Sequence, residues 1–419
     1  MMAVRFFPTA AFHPQHQVSF SSQATSNLDS VPILVQSLKI PSIVRPPQES
    51  LRNGTWVKLI CGASFEDTAD IRNLSLVYTL AGVDCIDCAA DESVVRAVKE
   101  GIQRARDIVP LRRPWIMISV NDDEDLHFRK AEFDPSDCPS DCRRPCESVC
   151  PAKAISFEEE SPPVVLTFQS FSLYSDVISL STVMFFLSPQ IGVIAERCYG
   201  CGRCVPVCPY DKIRARNYIR DSKMVAKLLV RNDIDALEIH TSGSEIGKLE
   251  ELWEELGDSV DGLKLVAVSL PYLGEGTVRS MREMYSLMKG KMKRDNVWQL
   301  DGRPMSGDIG RGAGKEMIAF AGRMAEADDR PPGFYHVAGG SNERTVEGLR
   351  MEGLFGNLEI GDGLVGGVGF GGYARKIVGR VLSSMKDYNG CSVVEDDAEC
   401  LVRALIEAVR LVGTVKSYY

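Results

Sequence analysis

Residues 197–213, RCYGCGRCVPVCPYDKI, decide how the rest of the chain is read. Cys198, Cys201, Cys204 and Cys208 stand in the C-x2-C-x2-C-x3-C-P pattern of bacterial-type iron–sulfur ligation, in which the fourth cysteine serves the other cluster of a pair. The matching half lies upstream in DCPSDCRRPCESVCPAKAI, residues 137–155, with Cys138, Cys142, Cys146 and Cys150 followed by Pro151. Its first two gaps are each one residue longer. The pattern predicts two [4Fe-4S] clusters with crossed ligation. Cys138, Cys142, Cys146 and Cys208 hold one cluster, and Cys198, Cys201, Cys204 and Cys150 hold the other. Iron in a cluster calls for soft thiolates. Zinc in a four-cysteine site usually takes two separated C-x2-C knuckles, which these runs are not. The segment that carries them, 131–215, is therefore expected to be an α+β, two-cluster, ferredoxin-like module. It interrupts a longer repeat.

That repeat alternates short apolar runs with amphipathic helices. Before the module come VKLICGAS (57–64), CIDCAA (85–90) and WIMISV (115–120), each followed or preceded by helical spacing. One such helix has Ile71, Leu74, Tyr78 and Ala81 on one face and ends near Gly82; another is capped by Asp91. After the module come ALEIHTSG (236–243), LKLVAVSLP (263–271), VWQLDGRP (297–304), FYHVAGG (334–340) and LVGGVGFGG (364–372), again alternating with helices, and an additional helix over 398–412. Eight strand–helix units are the number of a (β/α)8 TIM-like barrel. The expected fold is α/β, with first units in 55–130, the module inserted after strand three, and the remaining units in 216–419. The alternative is two α/β domains flanking a ferredoxin module.

Composition bounds the function. The chain has 419 residues, 44% hydrophobic and 25% charged, enough apolar material for a large core. Its net charge of −9 argues against nucleic acid, which needs a basic face. Of thirteen cysteines, eight fall in the two runs, a clustering that favours metal over disulfides. Cys61, Cys85 and Cys88 read as core thiols, and Cys391 and Cys400 have no partner pattern. Residues 1–54 begin with a hydroxyl-rich stretch whose only acid before residue 49 is Asp29, the character of a plastid transit peptide, and are set outside the fold. A chloroplast stromal location follows from that reading. Val177–Ala195 is uncharged over nineteen residues. A membrane span there would part the two halves of one cluster module by about 30 Å of hydrocarbon, so no span is expected. Residues 162–190 are read instead as an insertion, intron-derived or disordered.

Glycine loops end strands seven and eight: Gly339, Gly340 and Ser341, and Gly369, Gly371 and Gly372. Barrel enzymes hold phosphates at this position, so flavin mononucleotide or a phosphorylated ligand is a candidate there. Asp301 and Arg303, after strand six, are expected at the same mouth. His240 closes strand four and reads as a structural histidine. No Ser-His-Asp or Cys-His signature stands out. Enzyme turnover is left open, below electron transfer or redox sensing with a protein partner.

KLICGASFEDTADIRNLSLVYTLAGVDCID (58–87), the two cysteine runs and WQLDGRPMSGDIG (298–310) resemble the LdpA, or light-dependent period A, family of cyanobacteria and its plastid relatives. The resemblance runs from about Trp56 toward the C-terminus. It implies an iron–sulfur protein that reports photosynthetic redox state and passes light information to a circadian clock, with the eight cysteines as cluster ligands.

Overall fold

A computed structural model describes residues 30–37, 45–157, 191–292, 295–302, 312–356, 363–389 and 393–416. Eight strands close into a parallel barrel: β1 (Trp56–Gly62), β2 (Cys85–Ala89), β3 (Trp115–Asn121), β4 (Ala236–His240), β5 (Leu265–Pro271), β6 (Asp295–Asp301), β7 (Phe334–Ala338) and β8 (Val365–Phe370). Closure comes from β1 pairing with β8, Lys58 opposite Gly369. The pairing of β3 with β4, Met117 to Asn121 against Ala236 to His240, spans the whole inserted segment. That register overturns the alternative of two flanking α/β domains: the three strands before the insert and the five after it belong to one sheet.

Period-2 alternation sorts each strand's side chains. Val57, Leu59 and Cys61, Ile116 and Ile118, Leu237 and Ile239, and Trp298 and Leu300 join the core under the surrounding helices. Trp56, Cys85, Trp115, Met117, Ala236, Leu265, Ala267 and Val297 fill the lower barrel interior. Cys85 and Cys88 thus fall on opposite faces of β2; Cys61, Cys85 and Cys88 are buried free thiols, as the sequence suggests, and Cys400 is a fourth. Burial pushes the Cys61 thiol up to about 12.

The helices follow their patterns. Thr68–Leu80 ends beside Gly82, whose φ is +83°, and Glu92–Ile108 is capped by Asp91, which accepts from Ser93 N at 2.8 Å. Ala398–Lys416 lies along the barrel's outside, and Lys416 Nζ reaches Ser50 Oγ at 3.1 Å. Helix Pro47–Arg52 closes the lower end with Leu51 against Trp56 and Trp115, so the folded chain begins before residue 54. Most of the expected transit peptide, the 162–190 insertion, Arg303 and Cys391 lie outside the described residues. No described helix is long and apolar enough to cross a membrane.

Candidate functional site

The segment between β3 and β4 is built from two small antiparallel pairings. Arg129–Glu132 pairs with Arg214–Asn217, and Ile155–Ser156 pairs with Gly192–Val193. Between them a one-and-a-half-turn helix, Pro145–Val149, carries Cys146. The two cysteine runs adopt matching backbones. The same offset along the chain relates Cys146 to Cys204, Cys150 to Cys208 and Ile155 to Ile213. Cys146, Cys204, Ile155 and Ile213 pack in one small core. Lys153 and Asp211, third after Cys150 and Cys208, both have positive φ, at 47° and 50°. Each turn then donates a backbone N–H to the cysteine four residues back: Ala154 N to Cys150 Sγ at 3.2 Å, Lys212 N to Cys208 Sγ at 3.3 Å. Ala131 N adds a third such contact, to Cys198 Sγ at 3.3 Å.

All eight cysteines are free thiols, and their electrostatic neighbours fall into two sets. Burial and the thiols of Cys142 and Cys208 raise Cys138; burial also raises Cys146, which feels Cys208 and Cys138. Burial raises Cys150, whose thiol neighbours are Cys201 and Cys198. Burial pushes Cys204 to about 12, with Cys201, Cys198 and Cys150 adding to it. Cys208 thus neighbours the first run, and Cys150 the second. A thiol held up by burial and by other thiols is a poor isolated acid, and a cation shared among four of them removes that repulsion. The donor set and the N–H groups aimed at sulfur fit an iron–sulfur group.

This segment covers the barrel mouth. Glu66 N, in the loop after β1, donates to Glu196 O at 2.9 Å, and Glu66 pairs with Lys130 and Arg220, both at 3.0 Å. Tyr199, between Cys198 and Cys201, packs edge-on against Phe65 and beneath the Arg375 guanidinium, 4.3 Å from its ring centre. Burial pushes the Tyr199 phenol to about 12.

Under Tyr199 and Arg203 lies a cavity of about 320 Å³, inside the range of small-molecule sites. Gly339, Gly340, Ser341, Gly371, Gly372 and Asp301 all line it. Gly339 has φ +75°, and a Cβ there would fall 1.7 Å from Asp301 Oδ1, so only glycine fits beside that carboxylate. Gly369 sits lower, facing Lys58 and Ile60 inside the barrel.

The cavity floor is a buried polar network that the sequence reading missed. Lys58 Nζ contacts Glu238 directly and lies 4.0 Å from Asp87 Oδ2. Gln299 Nε2 donates to Glu238 Oε1 at 2.9 Å and to Ser269 Oγ at 2.8 Å, and Gln299 Oε1 lies 2.8 Å from His336 Nε2. His240 Nε2 lies 3.0 Å from Glu238 Oε1. Burial opposes the charge on Lys58, yet Glu238 and Asp87 hold its pKa above the ordinary value. Burial likewise opposes a charged His240 and is outweighed by Glu238. Burial lifts Asp87 to about 7, with Glu238 adding to it. Burial and Lys58 depress His336 to about 3. The signal for these residues was present: a lone polar residue recurs at the inward position of apolar strands, as in VKL, CIDC, LEI, WQL and YHV.

An eight-stranded barrel whose mouth is covered by a segment presenting eight free thiols in two sets has the architecture of an iron–sulfur protein. Comparison bears this out. The description "LdpA Fe-S cluster-binding domain" matches residues 138–169 and 178–219, and "Light dependent period A C-terminal domain" matches 228–414. A relative described as "Light dependent period A", from Synechococcus elongatus, is 37% identical over 370 residues, covering 88% of this chain and 94% of its own. The chain belongs to the LdpA family. The break in the match at 170–177 falls within the stretch 162–190.

Proposed function

We propose that this protein is an electron relay or redox sensor holding two [4Fe-4S] clusters in a ferredoxin-like insert. The observation that carries the reading is the crossed grouping of the thiols, Cys208 beside the first run and Cys150 beside the second. Strand order supports it, since an outer pair of strands (129–132 with 214–217) and an inner pair (155–156 with 192–193) frame the two cysteine runs. When bound, the clusters would supply one-electron transfer. The chain's own residues tune and place them: Ala131, Ala154 and Lys212 donate N–H groups to sulfur, which stabilises charge on the thiolates. The first run is flanked by exposed Asp137, Ser140, Asp141 and Arg143, suited to a protein redox partner. The second run abuts the barrel through Tyr199. The relative's name points to light-dependent control of a period, and we extend that role to this chain, acting in the plastid stroma.

Variants separate crossed from sequential ligation. Cys138→Ala/Cys208→Ala, purified anaerobically, should keep about four irons per chain, against about eight for the unaltered protein. In sequential ligation the same pair of changes strikes both clusters, and iron near zero would overturn the crossed arrangement.

A second reading is a barrel oxidoreductase fed by the clusters. It is favoured by the buried Lys58–Glu238–His240 network under a cavity adjoining Tyr199. In that reading flavin mononucleotide or a phosphorylated ligand lies against Gly339, Gly340, Ser341, Gly371 and Gly372, with Arg203 and Lys376 nearby. Flavin released from the protein on denaturation would favour it.

A further inference from the structure

Three side chains, His240 and two not used above, converge where β3 and β4 end. Asp125 and His127 belong to the loop that leaves β3. Asp125 caps the short turn Leu126–Phe128, accepting from His127 N at 2.7 Å. His240 is the last residue of β4. One ligand atom from each of Asp125, His127 and His240 lies within 4.8 Å of the others. The two imidazole centres are 5.0 Å apart.

Each ring is fixed from one side by a carboxylate. Asp301 Oδ2 is 3.3 Å from His127 Nε2, and Glu238 Oε1 is 3.0 Å from His240 Nε2. On the other side of each ring, Asp125 Oδ1 lies 2.6 Å from His127 Nδ1, and His240 Nδ1 is buried without a hydrogen-bond partner. His240 is only 6% exposed, yet both histidines line the cavity under Tyr199. Buried polar atoms in folded proteins are nearly always satisfied, so the unpartnered His240 Nδ1 beside Asp125 and His127 calls for an occupant. Metal-binding histidines show this arrangement, one nitrogen on a carboxylate and the other on the ion. Imidazole together with carboxylate selects a divalent transition metal over calcium or magnesium.

We propose that Asp125, His127 and His240 bind one divalent transition-metal ion of the zinc or iron(II) type at the barrel mouth, separate from the cysteine-held clusters. Glu238 is the positioning residue for His240 and Asp301 that for His127, each on the Nε2 side of its ring, so that the two Nδ1 atoms and the Asp125 carboxylate take the ion. The open side of the ion would face the cavity, where water or a substrate oxygen completes its coordination. The proposal does not depend on the cluster reading.

The test uses the full chain with its native iron, treated with a mild chelator and titrated anaerobically with Zn2+. Bound zinc, iron and sulfide are measured on the same sample after gel filtration. One zinc per chain is expected beyond the unchanged iron. His240→Ala and, on the more exposed loop, His127→Ala should each weaken zinc binding about tenfold or more, with iron and sulfide unaltered. Less than stoichiometric zinc, or stoichiometric zinc that survives both changes, would overturn the proposal. Zinc taken up by vacated cysteines would appear as lost iron and would ignore both histidine changes, so failure of the cluster reading stays distinguishable.

Discussion

Burying Lys58, Asp87 and Glu238 together is costly, because each charge loses its water. The barrel offsets the cost by placing one amine between two carboxylates and by giving Glu238 further contacts from Gln299 and His240. Asp87 is the group left over. Burial and the Glu238 charge hold its carboxyl up near 7, although Ser119 Oγ donates to it. The folded protein therefore binds a proton that the unfolded chain releases near pH 4. The stability this lends is complete below about pH 4 and is lost as pH rises through about 7. Asp87→Asn should remove that dependence while keeping the acceptor for Ser119. Melting temperatures at pH 5.5 and 7.5 check it: the variant gains on the unaltered protein as pH rises. An equal fall in both proteins would show that Asp87 is ionised throughout.

At the level of elements, the barrel strands are tied at their lower ends by one device used twice. Asp84, just before β2, accepts from Val57 N at 2.8 Å and from Arg112 at 3.1 Å, and contacts Lys416. Asp235, just before β4, accepts from Ile116 N at 2.9 Å, Arg113 at 2.7 Å and Lys264 at 2.6 Å. Each satisfies the amide of a neighbouring strand's second residue and neutralises nearby cations. The cysteine loop is seated just as closely. Gly200 has φ +68°, and a Cβ there would come within 2.3 Å of Arg129 O, on the strand whose Ala131 N reaches Cys198. Gly200→Ala should therefore push the loop off that strand. The expected loss is about half the iron, from the Cys150, Cys198, Cys201 and Cys204 set, with far-UV circular dichroism preserved. Gly247→Ala, where a Cβ meets nothing within 4 Å, should leave iron unchanged. Full iron in Gly200→Ala would contradict the seating.

Across the whole molecule, the insert is a second storey on a barrel that closes without it. The β3–β4 register needs only that the insert's two ends lie close, which the pairing of Arg129–Glu132 with Arg214–Asn217 ensures. Inside the insert, Ile155 opposite Val193 and Ser156 opposite Gly192 bring the two sides of the 158–190 connection together. Removal of 162–190 should thus leave iron content unchanged and the melting temperature within about 2 °C, a shift that corresponds to roughly 1–2 kcal/mol in a domain of this size. Loss of iron on that deletion would assign the stretch a structural role.

The strands, their helices and the pairing of the two cysteine runs were readable from local pattern, because period-2 and period-3.6 burial and thiolate spacing are short-range properties. Asp301 and the loop glycines Gly339, Gly340, Gly371 and Gly372 were placed at the mouth by the same logic, since they follow strand ends. Leu51 and helix 47–52 were not readable, because six residues carry little periodicity and their burial is conferred by Trp56 and Trp115. Lys58, Asp87, Glu238 and His336 do not stand out in the sequence, and His240 reads there as merely structural. A polar residue in a strand shows its meaning only when closure turns that face inward and brings β1, β2, β4, β6 and β7 around one axis. Local sequence thus determined the elements and the ligand chemistry. Tertiary structure decided between one eight-stranded ring and two flanking domains, and it alone brought charges distant in sequence together beneath the mouth, since both rest on contacts between residues far apart in the chain.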